Sequence, residues 1–238
     1  MRDYCVVLST DYGPVIALRN DLNQTNALRT TGRAFDHSDI ALLADLAWEL
    51  PRNCLCLDLG ANFGLFTLAL AQSVAPLDGQ VWAYEAQRLL AYMISGTVAL
   101  NSLVNVRVHH LAMGSSHGLI PIPQYDYGEA GNFGSLELHP VWDDIGLPRL
   151  PDNPDEVVEL TTLDALRLPR LDLIKIDVEG MEMDVLEGGF QTFKGFRPVT
   201  WVETLKSDKK RLMAFFQALN YEVQDRGSDL LCLPRRVS

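Results

Sequence analysis

Residues 54–64 read C-L-C-L-D-L-G-A-N-F-G, an apolar run that reaches Asp58 and then breaks into a turn with glycines at 60 and 64. A continuous apolar run bounded by glycine predicts a strand buried on both faces of a parallel sheet. Gly60 and Gly64 let the backbone approach a bound molecule where a Cβ would collide. Leu65 to Val74 reads as helix. The turn is therefore expected at the carboxyl end of a first strand and the amino end of a first helix, where open α/β sheets bind their ligands.

Spacing narrows the ligand. A dinucleotide fingerprint wants G-x-G-x-x-G, so that a pyrophosphate can rest on the helix N-terminus, whereas this turn is G-x-x-x-G. With Ala61 and Asn62 between the glycines, the loop suits a zwitterionic amino-acid tail better than a diphosphate. Asp58 would repel phosphate and can bind an ammonium, directly or through water. The next strand, Val81 to Tyr84, ends on Glu85, about 20 positions beyond the turn and placed to accept ribose hydroxyls. A nucleoside carrying an amino-acid tail describes S-adenosylmethionine.

Outward from this stretch, residues 1–32 predict a short hairpin turning at Gly13-Pro14, added at a sheet edge. Phe35 to Leu50 reads as helix, capped by Asp36 or Ser38 and ended by Pro51. Strand and helix then alternate: strand 54–59, helix 64–75, strand 81–85, helix 87–100, strand 105–112. Ala112, ending the last of these, is assigned to the cofactor site. The pattern pauses over 114–157, a proline-rich stretch whose aromatics Tyr125, Tyr127, Phe133 and Trp142 suggest a cover over the substrate. It resumes with a strand at 157–160, a short helix at 162–168, a strand at 171–177, one helix at 181–193, a strand at 199–203, a helix at 208–219 and a terminal pair at 221–224 and 230–233. The expectation is one α/β domain over 1–238, with a seven-stranded, mostly parallel sheet, one strand reversed and helices on both faces.

A second unusual stretch is I-K-I-D-V-E-G at 174–180. A lysine inside an apolar strand must find a partner if buried, or else snorkel at the rim. Lys175 and Asp177 share a face, and Asp177, Glu179 and Glu203 fall on the same sheet edge as Asp58 and Glu85. Five carboxylates on one rim call for a cationic ligand, either the sulfonium and ammonium of the methyl donor or a divalent metal such as Mg²⁺. Glu182 and Glu187 read as solvent residues on the following helix.

Composition limits the partners. The chain has 238 residues, 47% of them hydrophobic, and a net charge of −11 with scattered basic residues, so nucleic acid is not expected. Lys206 to Arg211 reads as a solvated helix face. No stretch has the length of a membrane span, and Met1 to Ala17 lacks the blocks of a signal peptide, so a cytoplasmic protein is expected. Cys5, Cys54, Cys56 and Cys232 read as small buried hydrophobes. A homodimer is open.

Together, L-D-L-G-A-N-F-G at 57–64, T-T-L-D-A-L at 161–166, D-L-I-K-I-D-V-E-G-M-E at 172–182, V-L-E-G-G at 185–189 and W-V-E at 201–203 resemble the FkbM-type family of S-adenosylmethionine-dependent methyltransferases. The resemblance implies a class I methyltransferase fold and O-methylation of a hydroxyl on a sugar or polyketide-type natural product. It places Gly60, Asn62 and Gly64 on the cofactor loop, Glu85 on the ribose, and Asp177 and Glu179 at the reacting edge. Ala86 departs from the proline common in relatives. Asp177 or Glu179 is the expected proton acceptor, with His37 an alternative, and a metal-assisted version stays open. A nicotinamide oxidoreductase lacks its fingerprint here, and a non-catalytic nucleotide-binding module would lack an acceptor cavity.

Overall fold

Residues 3–135 and 156–235 are described by a computed structural model. Strand β1 (Cys5–Thr10) pairs with β2 (Gly13–Leu18) in a hairpin that turns at Gly13, where φ is 107°. This is a two-stranded sheet of its own and not the edge addition expected. It lies on the helix Arg88–Leu100 and its C-cap: Thr97 Oγ1 accepts from Ile16 N at 3.0 Å and Asn101 Nδ2 donates to the Pro14 carbonyl at 2.7 Å. Helices α1 (Gln24–Thr31) and α2 (His37–Trp48) follow. Asp36 stands at the N-cap of α2 yet makes no capping hydrogen bond.

Strand and helix then alternate as β3 (Leu55–Leu59), α3 (Leu65–Val74), β4 (Gln80–Glu85), α4 (Arg88–Leu100) and β5 (Val106–His110). Every residue of β3 is buried, because both faces of the sheet are covered and no position is left for a polar surface. The chain leaves the sheet at Leu111. Ala112–Met113 forms β6, which pairs with β8 (Glu156–Thr161), itself paired with β7 (Gly118–Ile122). The stretch 105–112 is thus two strands in two sheets, and 114–157 opens with a strand. Tyr125 and Phe133 are buried in the core and Tyr127 packs on Phe133 at 5.1 Å, so these aromatics pack inward. Trp142 lies outside the described residues.

After a 3₁₀ turn at Asp164–Leu166 come β9 (Leu173–Ile176), α5 (Glu182–Gly188) and α6 (Phe190–Phe196), two helices where one was expected. The break is held by the Asp164 carboxylate, which accepts from the amides of Gln191 at 3.1 Å and Thr192 at 2.8 Å and so caps a second helix start. β10 (Val199–Glu203), α7 (Lys209–Ala218), β11 (Tyr221–Asp225) and β12 (Asp229–Pro234) complete the chain.

The main sheet has seven strands in the order β11-β12-β10-β9-β3-β4-β5, with β12 alone antiparallel to its neighbours, as the sequence predicts. On one face α2, α3 and α4 bury Leu43, Leu68 and Met93 in the same core as Cys54 and Cys56; on the other α5, α6 and α7 bury Leu186, Phe193 and Phe216 against Leu57 and Ile174. The cysteines are free thiols, with Cys54, Cys56 and Cys232 buried. No described helix is long and apolar enough to cross a membrane. The strand order reverses at β3, where the chain runs outward through β4 and β5 and returns through β9 on the opposite side. A crevice at the carboxyl ends of β3, β4 and β9 follows from that reversal.

Candidate active site

The crevice holds about 880 Å³ of empty space, counted out to the solvent at its mouth. Its floor is the turn from Gly60 to Gly64. Gly60 has φ 74°, and a Cβ there would stand 1.7 Å from the Asp177 carbonyl oxygen. The glycine is demanded by the neighbouring strand end, then, and not only by a ligand. Gly64, with φ 94°, is the N-cap of α3, which has no side-chain cap. The Asn62 amide donates to Glu85 Oε2 at 2.8 Å, tying the turn to the end of β4.

Glu85 is almost wholly enclosed, with Oε1 accepting from the Gln87 amide at 2.8 Å. Burial pushes its pKa up to about 7, against the opposing effect of the two backbone amides and Lys175. Beside it Ala112, with Leu111 and Met113, gives the crevice an apolar end. Gln87 reaches across to the Phe133 carbonyl at 3.0 Å, and Gly134 closes over Asn62, whose Nδ2 would lie 2.3 Å from a Cβ at residue 134.

At the opposite end stands Lys175, directly across the strand pair from Asp58. It does not snorkel. Its side chain is 4% exposed, Nζ donates to the Gly60 carbonyl at 2.9 Å, and it lies 3.4 Å from Asp58 Oδ1, 3.3 Å from Asp177 Oδ2 and 5.2 Å from the centre of the Phe66 ring. Burial alone would depress the lysine pKa, but Asp177 and Asp58 overcome it and the net shift is upward. Asp58 is fully buried and also accepts from Thr67 Oγ1 at 2.6 Å. It therefore sits beneath the crevice floor as the partner of Lys175 and does not line the space where a ligand's ammonium would lie.

Asp177 and Glu179 both line the crevice. Glu179 is held at φ 55° and pairs with Lys206 Nζ at 2.7 Å. Burial, then the charge of Asp177, raises Glu179 to about 7 and Glu203 to about 9. Oxygens of Asp177, Glu179 and Glu203 lie within 4.8 Å of one another. His37 is elsewhere: Tyr12 Oη is 2.7 Å from its Nδ1, and it borders a separate hollow with Ile40 and Trp48.

Four contributors escaped the sequence reading. Glu182, expected in solvent, is fully buried, and its carboxylate accepts from the amides of Val178 at 3.0 Å and Gly180 at 3.2 Å and from Ser207 Oγ. It fixes the turn that presents Asp177 and Glu179, and its place four residues after Val178 was the available signal. Lys206, expected on a solvated helix, precedes α7 and serves Glu179. Gln24 and Asp36 also line the crevice: Gln24 opens α1, a helix where residues 1–32 were expected to form only a hairpin, and Asp36 was read as a helix cap.

Residues 58–223 match the methyltransferase FkbM domain family. Methyltransferase sdnD of Sordaria araneosa is 30% identical over 163 residues, which make up 59% of this chain and 62% of that protein. The crystal structure of methyltransferase FkbM from Methylobacillus flagellatus KT aligns with a TM-score of 0.53 at 17% identity, covering 76% of this chain and 43% of the other. A SAM-dependent O-methyltransferase from Thermotoga maritima aligns at 0.49 and 11% identity, over 98% of this chain and 79% of that one. The chain spans less than two thirds of the first two proteins' lengths. With the glycine turn, Glu85 and the K-I-D-V-E-G block all inside residues 58–223, the chain belongs to the methyltransferase FkbM domain family and has the class I methyltransferase fold.

Proposed function

We propose that the protein is an S-adenosylmethionine-dependent methyltransferase acting on a hydroxyl of a sugar or similar small natural product. The observation that carries this reading is the crevice at the strand-order reversal, with an uncapped helix start at its floor, an enclosed carboxylate at the next strand end and an apolar slot beyond. Each part suits one part of the donor. The first amides of α3 are free for the tail carboxylate, Glu85 accepts ribose hydroxyls, and Leu111 to Met113 border the adenine.

The bound donor supplies an electrophilic methyl group on sulfur. Asp177 accepts the proton of the acceptor hydroxyl as the new oxygen–carbon bond forms and the sulfur–carbon bond breaks, its electrons staying on sulfur. Each carboxylate has a lysine partner, Lys206 on Glu179 at 2.7 Å and Lys175 on Asp177 Oδ2 at 3.3 Å, and Asp177 is favoured because its Oδ1 has no hydrogen-bond partner. The carboxylates of Asp36, Asp177 and Glu179 disfavour an anionic acceptor, nucleic acid included.

Incubating purified protein and methyl-labelled donor with glycosides, macrolides and free sugars should place label on a hydroxyl oxygen. Absence of any calorimetric signal with S-adenosylhomocysteine would overturn the reading. A magnesium-assisted variant rests on the three oxygens within 4.8 Å. Undiminished turnover in excess chelator excludes it, and loss reversed by Mg²⁺ supports it.

A pH dependence follows from Glu85. Its pKa near 7 in the ligand-free protein means that acid protonates the carboxylate that must accept the ribose hydroxyls. Affinity for S-adenosylhomocysteine should therefore fall about tenfold between pH 8 and pH 6. Calorimetry at the two pH values checks it, and Glu85→Gln should bind more weakly at pH 8 and lose most of the dependence.

A further inference from the structure

The donor's amino-acid tail carries an ammonium, and the residue that sequence reading assigned to it is not available, because Asp58 is sealed under the floor with Lys175 and Thr67. Another carboxylate borders the same end of the crevice. Asp36 sits at the N-cap of α2, where an aspartate ordinarily accepts hydrogen bonds from the first amides of the helix, but its side chain makes no such bond. Instead Gln24 Nε2 donates to Asp36 Oδ1 at 3.0 Å, while Gln24 Oε1 accepts from the Phe35 amide at 3.0 Å. This two-point clasp holds the carboxyl group as part of the crevice wall.

Local charge shows what that wall lacks. Burial raises the pKa of Asp36, and Gln24, the residue's own backbone amide and Lys175 oppose it while the charge of Asp177 adds to it. Lys175 is already shared between Asp58 and Asp177. One ammonium therefore faces three carboxylates, and Asp36 has no ion-pair partner among the described residues. A cationic group placed here relieves the excess, and the tail end of the donor brings one.

We propose that Asp36 binds the ammonium of the donor's amino-acid tail, with Gln24 as the residue that positions it. The assignment rests on the donor reading above. It gives a binding role to a segment outside residues 58–223, the part that matches the family.

Asp36→Asn separates charge from shape, since the amide oxygen can still accept from Gln24. Two probes locate the effect: S-adenosylhomocysteine, which has the amino-acid tail, and 5′-methylthioadenosine, which lacks it. Affinity of Asp36→Asn for the first should fall about 10- to 100-fold, the worth of a hydrogen bond between charged groups, with affinity for the second unchanged. Gln24→Ala should lose less, again only with the first probe. Unchanged affinity of Asp36→Asn for S-adenosylhomocysteine overturns the proposal, and so does an equal loss with both probes, which would mark a general disturbance of the wall. A wild-type protein that binds neither compound would instead refute the donor reading itself, an outcome distinct from wild-type binding that Asp36→Asn leaves intact.

Discussion

Lys175→Met should destabilise the fold by about 3–5 kcal/mol, the usual result of removing one partner from a buried ion pair. The reason lies in the register of β3 against β9. Asp58 and Lys175 are Cα partners in the interior of a sheet covered on both faces, and the lysine also neutralises Asp177 and bonds the Gly60 carbonyl. Without the ammonium, Asp58 stays enclosed with Thr67 as its remaining hydrogen-bond donor, and water cannot reach it. In a chain of this length each kcal/mol corresponds to about 2–4 °C in melting temperature, so thermal unfolding followed by circular dichroism should show a drop of roughly 6–20 °C. The double variant Asp58→Asn/Lys175→Met removes both charges and should recover most of the loss. If the single variant melts with wild type, the ion pair is not what holds the strand ends together.

The second large effect is on chemistry. Asp177→Asn keeps size and hydrogen-bonding shape but cannot accept a proton, and turnover should fall about 10²- to 10⁴-fold, the range for general-base catalysis. Donor binding should be retained, which calorimetry with S-adenosylhomocysteine would establish before rates are compared. The β9 end is suited to this task because three separate supports fix it: Lys175 against Asp177, Glu182 under the backbone of the turn, and Lys206 on Glu179. Undiminished turnover with bound donor would remove Asp177 as the base and turn attention to Glu179.

The parts of this site that could be read from sequence are those set by strand polarity. In a parallel sheet every strand ends on the same edge, so Gly60, Glu85, Asp177 and Glu203 could be placed together from the alternation of strands and helices alone. What could not be read depends on partners remote in sequence. Asp58 looked like a ligand residue because its place at the strand end was visible, and the lysine opposite it across the ladder was seen only as sharing a face with Asp177. Glu182 looked solvated because helical periodicity says nothing of two amides arriving from the turn before it. The division of one expected helix into α5 and α6 depends on Asp164, 28 positions away from Thr192. Asp36 looked like a helix cap by residue type, and only the clasp by Gln24 reveals the different use.

The stretch after β7 that brings Gly134 to the crevice is tied to the N-terminal segment, and this has a consequence for how the molecule comes into being. Asn20 binds the carbonyl of Tyr127, 107 positions along the chain, and Asp21 bridges to Gly131 beside it. During synthesis on the ribosome the first of these segments emerges long before its counterpart exists, and contacts of such wide sequence separation form slowly. The nascent polypeptide can thus arrange β3, α3 and β4 while the space above them is still open to water, and competence to hold a ligand is a late acquisition of the growing chain.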